Sequence, residues 1–159
     1  MMSLCCNVLE ALKGKTLVTA ESCTGGGIGA ALTAVPGSSS VYKGGIISYS
    51  NWVKGHMLGV DESLLAEIGP VSAPVAKAMA EGARERLEAD VAVSVTGLAG
   101  PGGDEYGNPE GTVFVGCVSE TLTRVEEFHF SGSRQEIRNQ ACEAALKLVL
   151  KCVTGEEIL

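Results

Sequence analysis

Aromatic residues and strong positive charge are both scarce in this sequence of 159 residues. Phe, Tyr and Trp make up 4% of the chain, whereas hydrophobic residues as a whole make up 45%. We therefore expect a core of aliphatic side chains and alanine, which is large enough to fold without a stabilising metal or disulfide. The formal net charge of -7 argues against nucleic-acid binding, because that binding depends on neutralising phosphates with Lys and Arg.

Long apolar runs and paired cysteine spacings are absent as well. No run reaches membrane-spanning length, and the N-terminus lacks the apolar stretch and cleavage site of a signal peptide. We therefore expect a cytoplasmic protein that does not act at a membrane. The six cysteines show no C-x-x-C spacing and the two histidines lie far apart, which favours buried free thiols over disulfides or a zinc site. We expect no metal and no other cofactor.

The periodicity of the apolar residues predicts a single α/β domain over residues 1–159. Helices are predicted at 3–13, 25–35, 62–69, 73–89 and 133–153. Strands are predicted at 16–20, 44–50, 89–97, 111–120 and 121–130, the last two as an antiparallel hairpin. The order αβαβααβββα predicts a three-layer fold in which a mixed β-sheet is flanked by helices on both faces.

Two segments share one design, in which an apolar strand leads into small polar residues and a glycine-rich loop. They are LVTAESCTGGG at 17–27 and VAVSVTGLAGPGG at 91–103. One such loop alone is typical of a tight turn, but two of them in one small domain favour a binding site at the carboxyl ends of the strands. The first loop leads into a helix, whose free N–H groups around Thr24 to Gly27 would bind an anion such as phosphate.

The candidate nucleophiles Ser22, Cys23 and Thr24 stand at the end of the first strand. Cys23 at a helix N-terminus would have a lowered pKa and would be reactive. Strand alternation implies that Ser22 and Cys23 do not both face the pocket, and periodicity does not decide between them. Ser22 could also be only the N-cap of the helix.

A serine nucleophile requires a base, and neither histidine lies in a glycine-rich loop. The remaining candidates are a lysine whose pKa is lowered by burial, or a tyrosine paired with such a lysine. The stretch ISYSNWVK offers Tyr49 and Lys54, with the polar residues Ser50 and Asn51 between them. The alternative for this stretch is a surface loop with a solvated lysine.

Arg134 and Arg138 fall at i and i+4, on one face of the first turns of the last helix. A cation is electrostatically disfavoured at a helix N-terminus. We therefore expect either a bound anion or a carboxylate partner at these arginines. The alternative without a functional role is a salt bridge to the acidic surface.

Five motifs occur in order along the chain: Ala20-Glu21-Ser22-Cys23-Thr24-Gly25-Gly26, Pro36-Gly37-Ser38-Ser39, Gly44 to Asn51 with Lys54, Val71-Ser72, and Thr96-Gly97-x-Ala99-Gly100-Pro101. Together they resemble the CinA C-terminal domain family, over nearly the whole chain. The resemblance implies a metal-free amidase that converts nicotinamide mononucleotide and water to nicotinate mononucleotide and ammonia, in pyridine nucleotide salvage. It also implies a homo-oligomer, as a dimer or a larger assembly.

The resemblance further implies a serine and lysine pair assisted by a tyrosine, which falls on Ser22, Lys54 and Tyr49. Backbone amides of either glycine-rich loop would hold the oxyanion, and the remaining amides, with Arg138, would hold the 5′-phosphate. The expected substrate-binding residues are Thr24, Gly25, Gly26, Ser50, Asn51, Thr96, Gly97, Ala99, Gly100 and Arg138.

The loop after Gly100 departs from the commoner family pattern. Gly102 stands where an aspartate is usual, and Glu110 precedes Gly111, so the fit of the substrate could differ. Two other function classes stay open at this point. One is a non-catalytic nucleotide-binding or regulatory module, because glycine-rich loops need only bind. The other is a cysteine hydrolase that uses Cys23.

Overall fold

The computed structural model describes residues 1–155. The helices are α1 (Met2–Ala11), α2 (Gly27–Thr33), α3 (Asn51–Leu58), α4 (Glu62–Ile68), α5 (Ala73–Arg86) and α6 (Arg134–Thr154), with a short 3₁₀ turn at Ser38–Ser40. The strands are β1 (Leu17–Glu21), β2 (Tyr42–Ile47), β3 (Val91–Gly97), β4 (Thr112–Ser119) and β5 (Thr123–His129). Every predicted element is present, and α3 is an additional helix that the pattern did not indicate.

The five strands form one mixed sheet in the order β2-β1-β3-β4-β5. Strand β1 is parallel to both of its neighbours, whereas β4 is antiparallel to β3 and to β5. Helices α1, α2 and α6 pack one apolar cluster on one face, and α3, α4 and α5 contribute to a second cluster. The structure thus has the predicted three-layer α/β architecture, and the carboxyl ends of β1 and β3 meet at one edge of the sheet.

Helix α3 explains the main difference from the predicted elements. The strand predicted to run to residue 50 ends at Ile47. Ser50 is the N-cap of α3, and its side chain accepts a hydrogen bond from the N–H of Val53 in the first turn. Gly59, with a φ of 70°, ends it in the left-handed conformation that glycine favours. Lys54 therefore lies inside a helix that packs on the protein, and not in the solvated loop that was the alternative.

The other helix ends follow the predicted capping residues. Asp61 and Ser72 accept hydrogen bonds from N–H groups of the first turns of α4 and α5. Ser133 and Glu136 form the capping box that was predicted for α6. None of the helices within residues 1–155 is both long enough and apolar enough to cross a membrane.

All six cysteines are free thiols. Cys5, Cys117 and Cys142 are buried, as the sequence pattern predicted, Cys152 is half-buried, and Cys23, which was considered as a reactive thiol, is buried as well. Cys6 is exposed, which differs from that prediction because it lies on the solvent side of the terminal helix α1. No group of three His, Cys, Asp or Glu side chains within residues 1–155 is arranged to hold a metal ion.

Candidate active site

A cavity of about 360 Å³ opens at the sheet edge where β1 and β3 end. Its lining comes from five parts of the chain: Ser22 and Cys23, Tyr49 and Lys54, Pro70 and Val71, residues 96–103, and Arg134 of α6. A groove of about 410 Å³ lies elsewhere, between β5 and α6, over the stacked rings of Phe128 and Phe130. That groove holds no nucleophile and base in contact, so the cavity beside Ser22 is the candidate active site.

Lys54 is buried inside this site, with 1% of its surface exposed. Its Nζ lies 2.9 Å from Ser22 Oγ, 2.7 Å from the carbonyl oxygen of Ser48 and 3.4 Å from that of Tyr49. Burial lowers the pKa of Lys54 to about 8, because the charged ammonium loses its hydration. A substantial fraction of Lys54 is therefore neutral near physiological pH.

The neutral form of Lys54 has the right number of partners to act as a base. A neutral amine has two N–H groups and one lone pair, and the carbonyls of Ser48 and Tyr49 are the two acceptors within reach. The lone pair is then left for the hydroxyl of Ser22, which can donate its proton over the same 2.9 Å. The arrangement can generate a serine nucleophile without a histidine.

Ser22 lies in a tight turn just beyond the end of β1. Its N–H donates to Val95 on β3, and its carbonyl accepts from the N–H of Gly25. Gly25 and Gly26 have φ values of 58° and 98°, a conformation that only glycine adopts without strain. The side chain of Ser22 contacts Lys54 and does not cap α2, whose N-cap is Gly26.

Cys23 also borders the cavity, contrary to the expectation from strand alternation. Alternation does not apply, because β1 ends at Glu21 and the chain turns at Ser22. Burial raises the pKa of the Cys23 thiol to about 11, which outweighs the lowering expected from its place near a helix N-terminus. The thiol is therefore protonated at neutral pH and is a poor nucleophile.

The N-terminus of α2 is already occupied by an anion from the protein itself. The carboxylate of Glu21, which is 2% exposed, accepts hydrogen bonds from the N–H groups of Ile28 and Gly29 and from the hydroxyl of Thr24. The N–H groups of Gly25 and Gly27 donate to the carbonyls of Ser22 and Thr24. Two of the four N–H groups predicted to bind phosphate are thus occupied, and Thr24, Gly25 and Gly26 lie outside the cavity lining.

Arg138 also serves the turn and lies outside the cavity lining. Its guanidinium donates to the carbonyls of Cys23 and Thr24, at 3.0 Å and 3.1 Å, and to the side chain of Gln135. Its partners within residues 1–155 are therefore oxygen atoms of carbonyl and amide groups, and none of them is the carboxylate that the sequence suggested as one alternative. Arg134, one turn earlier on α6, is the arginine that borders the cavity.

Tyr49 borders the cavity, but its phenol does not point to the serine and lysine pair. The side chain is 64% exposed, and its hydroxyl accepts a hydrogen bond from Arg134 at 3.2 Å. Only its backbone carbonyl contacts Lys54. Ser50 and Asn51, which follow it, begin α3, are exposed, and lie outside the cavity lining.

The second glycine-rich loop forms one wall of the cavity, with Thr96, Gly97, Ala99 and Gly100 all at its surface. Thr96 donates its hydroxyl to the carbonyl of Pro70, and Arg134 donates to the carbonyl of Gly100. Within residues 1–155, the N–H groups of Ala99 and Gly100 have no acceptor. The first loop also has N–H groups without an acceptor in this part of the chain, those of Cys23, Thr24 and Gly26, and of these three residues only Cys23 borders the cavity.

Two charged residues of the site, Glu21 and Arg134, were not among the predicted site residues. The only local signal for Glu21 is that it is an acid at the end of an otherwise apolar strand. Its partners on α2, Ile28 and Gly29, are seven and eight residues away in the sequence. Arg134 was considered together with Arg138, and helical spacing alone could not show which of the two faces the cavity. Both positions depend on how the elements pack against one another.

Comparisons with known proteins agree on one family. Residues 3–153 match the family model of the CinA C-terminal domain. The CinA-like protein of Citrifermentans bemidjiense is 51% identical over 133 residues, which are 84% of this chain and 32% of that protein. The CinA-like protein of Syntrophobacter fumaroxidans is 44% identical over 147 residues, or 92% of this chain and 35% of that protein. The chain thus spans about a third of the length of these curated relatives.

Solved structures show the same fold. A competence-damaged protein (CinA) superfamily protein from Klebsiella pneumoniae superposes with a TM-score of 0.93 at 31% identity, and the match covers 98% of each chain. A competence/damage inducible protein from Agrobacterium tumefaciens gives a TM-score of 0.91 at 37% identity, over 96% of this chain and 94% of that one.

Proposed function

This chain belongs to the CinA C-terminal domain family, and we propose that it is a cytoplasmic serine amidase that hydrolyses nicotinamide mononucleotide to nicotinate mononucleotide and ammonia, in pyridine nucleotide salvage. The observation that carries the proposal is the contact of 2.9 Å between Ser22 Oγ and the buried Nζ of Lys54. A lysine that burial keeps partly neutral is the base such a serine requires.

In the first half of the reaction, Lys54 takes the proton of Ser22 as Oγ attacks the carboxamide carbon. The tetrahedral intermediate then expels its nitrogen, which leaves as ammonia with the proton that Lys54 carried. The product is an ester between Ser22 and the nicotinoyl group. No metal takes part in this step, and no residue other than Lys54 is needed to move the proton.

In the second half, a water molecule replaces ammonia beside Lys54. Lys54 takes a proton from the water as its oxygen attacks the ester carbon. The bond to Ser22 Oγ breaks, and Oγ regains a proton from Lys54. Nicotinate mononucleotide forms as the carboxylic acid and gives its proton to the solvent, where ammonia can take it up, so that one water is consumed for each ammonia released and the enzyme returns to its starting state.

The second glycine-rich loop and Arg134 are the groups available for the charges of the substrate. The N–H groups of Ala99 and Gly100, and that of Cys23 beside the nucleophile, have no acceptor within residues 1–155 and can donate to the oxyanion or to the phosphate, whereas those of Gly25 and Gly27 are occupied. Arg134 supplies a guanidinium at the cavity, and guanidinium groups bind phosphate in a bidentate manner. We therefore assign the phosphate interaction to Arg134 rather than Arg138.

The substrate is tested by comparing ammonia release from nicotinamide mononucleotide and from free nicotinamide. The proposal predicts turnover of the nucleotide and much weaker turnover of nicotinamide, which lacks the phosphate. If calorimetry shows tight binding of the nucleotide with no ammonia released, the chain is instead a binding or regulatory module. The raised pKa of Cys23 argues against the third candidate, a cysteine hydrolase.

A further inference from the structure

Glu21 is a buried acid that the proposed chemistry does not use. Its carboxylate is 2% exposed and accepts hydrogen bonds at 2.8 Å from the hydroxyl of Thr24, at 2.8 Å and 3.1 Å from the N–H groups of Ile28 and Gly29, and at 3.2 Å from the hydroxyl of Thr19. A buried carboxylate is tolerated only when such donors replace its hydration. It also lies at the N-terminus of α2, where negative charge is favoured.

The side chain of Glu21 holds the turn that carries the nucleophile. Thr24 lies two residues after Ser22, and the N–H groups of Ile28 and Gly29 belong to the first turn of α2. The turn at Ser22 to Gly26 lies between Glu21 and the first turn of α2. The side chain of Glu21 therefore binds the segment that follows the turn, while its main chain leads into the turn. This closes the loop on itself and limits the positions that Ser22 can take.

The backbone of Glu21 holds the other half of the pair. Its carbonyl oxygen accepts hydrogen bonds from the N–H and the hydroxyl of Ser48, at 2.7 Å and 3.3 Å. The carbonyl of Ser48 in turn accepts from Lys54 Nζ at 2.7 Å. Residue 21 is thus linked through its side chain to the turn of Ser22 and through its main chain to the segment that orients Lys54.

We propose that Glu21 is the positioning residue of this site, and that its carboxylate holds Ser22 Oγ on Lys54 by taking the anion position at the N-terminus of α2. The inference rests on the proposed role of Ser22 as a nucleophile. Glu21 does not contact the substrate, since it lies outside the cavity lining. A residue of this kind affects the rate of the chemical step and leaves substrate binding nearly unchanged.

The experiment compares Glu21→Gln with the matched control Glu10→Gln, which alters an exposed acid on α1 that forms an ion pair with Lys13. Glutamine keeps the size of the side chain, but its amide nitrogen would face donors instead of accepting from them. Ammonia release gives kcat and KM. The rate of Ser22 modification by an aryl sulfonyl fluoride, followed by mass spectrometry, reports the nucleophile without any amide substrate. Melting temperature and circular dichroism monitor the folded fraction.

We expect kcat of Glu21→Gln to fall by about 10- to 100-fold, because a reacting group displaced by up to about 1 Å loses rate on that order. We expect KM to change by less than about threefold. The rate of Ser22 modification should fall by a similar factor, and Glu10→Gln should match the wild type. In Glu21→Ala, added formate should restore part of both rates, because a small carboxylate can refill the vacated position, whereas chloride at equal ionic strength should not.

Three results would overturn the inference. If folded Glu21→Gln has the same kcat and the same rate of Ser22 modification as the wild type, Glu21 has a role in stability alone. An unmodified Ser22 in the wild-type protein would mean that no reactive serine exists to be positioned. If formate raises neither rate in folded Glu21→Ala, the carboxylate does not position the nucleophile. A wild-type Ser22 that is modified but releases no ammonia contradicts the amidase proposal, and the modification rates then test Glu21 independently.

Discussion

Lys54 combines a position inside the protein with a side chain that is usually charged. Its three polar neighbours are oxygen atoms and none is a carboxylate, so no negative side chain compensates an ammonium at that place. The result is a pKa of about 8 instead of the usual value near 10.5. At pH 7, roughly a tenth of the molecules then have the neutral base that the mechanism requires.

The pH dependence of the reaction should follow from that pKa. Since the neutral form of Lys54 is the active base, kcat/KM for ammonia release should rise with pH and level off above about 8. Initial rates from pH 6 to 10, in buffers of constant ionic strength, measure the midpoint. A rate that is flat over this range, or that decreases through pH 8, would contradict the role of Lys54 as the base.

The Cys23 thiol should be dispensable. Because burial raises its pKa to about 11, it is protonated at neutral pH and cannot compete with Ser22. We expect Cys23→Ala to retain kcat within about threefold. Replacing a small buried side chain by alanine mainly affects the stability of the fold. Steady-state ammonia release by Cys23→Ala, and by wild type treated with a thiol alkylator, provides the check. Complete loss of activity in folded Cys23→Ala would point to the cysteine mechanism.

At the scale of elements, three helices contribute to the site. Helix α3 carries Lys54 inward, α2 offers its N-terminus to Glu21, and α6 places Arg134 at the cavity and Arg138 behind the turn. The two arginines illustrate how one helical face can serve two purposes. Arg138 binds carbonyls of the turn, whereas the partners of Arg134 lie on the wall of the cavity.

The two arginines should therefore give different phenotypes when each is replaced by methionine. Arg134→Met should mainly raise KM for the nucleotide, because the guanidinium at the cavity is lost. Arg138→Met should lower stability by about 2 kcal/mol, because two carbonyls lose charged donors. Kinetics combined with urea unfolding separate the effects. An unchanged KM in Arg134→Met would contradict the assignment of the phosphate to that residue.

The sequence was informative about elements whose signals are local. The strand before each glycine-rich loop, the caps at Asp61 and Ser72, and the capping box at Ser133 all depend on residues a few positions apart. Helix α3 was missed because it has only eight residues and Gly55 interrupts its apolar pattern. The site contacts depend on packing: Arg138 and Cys23 are 115 positions apart in the chain, and no local pattern reports such a pair.

At the scale of the whole molecule, the mixed sheet accounts for the position of the site. Parallel pairing of β1 with β3 brings both glycine-rich loops to one edge, and β2, parallel to β1 on its other side, leads into α3 at the same edge. The sequence predicted that both loops follow strands of one mixed sheet and favoured a site at the carboxyl ends of those strands, but it did not predict the order of the strands in the sheet. The chain spans about a third of its curated relatives, yet the serine, the lysine and the cavity lining all come from residues 22–134 of this domain.

We also propose that the protein forms a homo-oligomer, as the family resemblance implies. Four large apolar side chains between β2 and the end of α3 are about half exposed or more: Ile47, Tyr49, Trp52 and Met57. Exposed apolar side chains of this size are typical of contact surfaces. Sedimentation equilibrium should give a mass of at least twice the chain mass of 16.4 kDa. A monomer at all concentrations would contradict this expectation.

The most direct test of the central claim is ammonia release from nicotinamide mononucleotide by Ser22→Ala and Lys54→Met, measured beside the exposed controls Ser3→Ala and Lys13→Met. The account predicts that each of the first two variants lowers kcat by at least about a thousandfold, because the serine and its base act as one unit. The two controls should retain wild-type rates. Ammonia release at the wild-type rate by folded Ser22→Ala would show that the contact between Ser22 and Lys54 is not the catalytic centre.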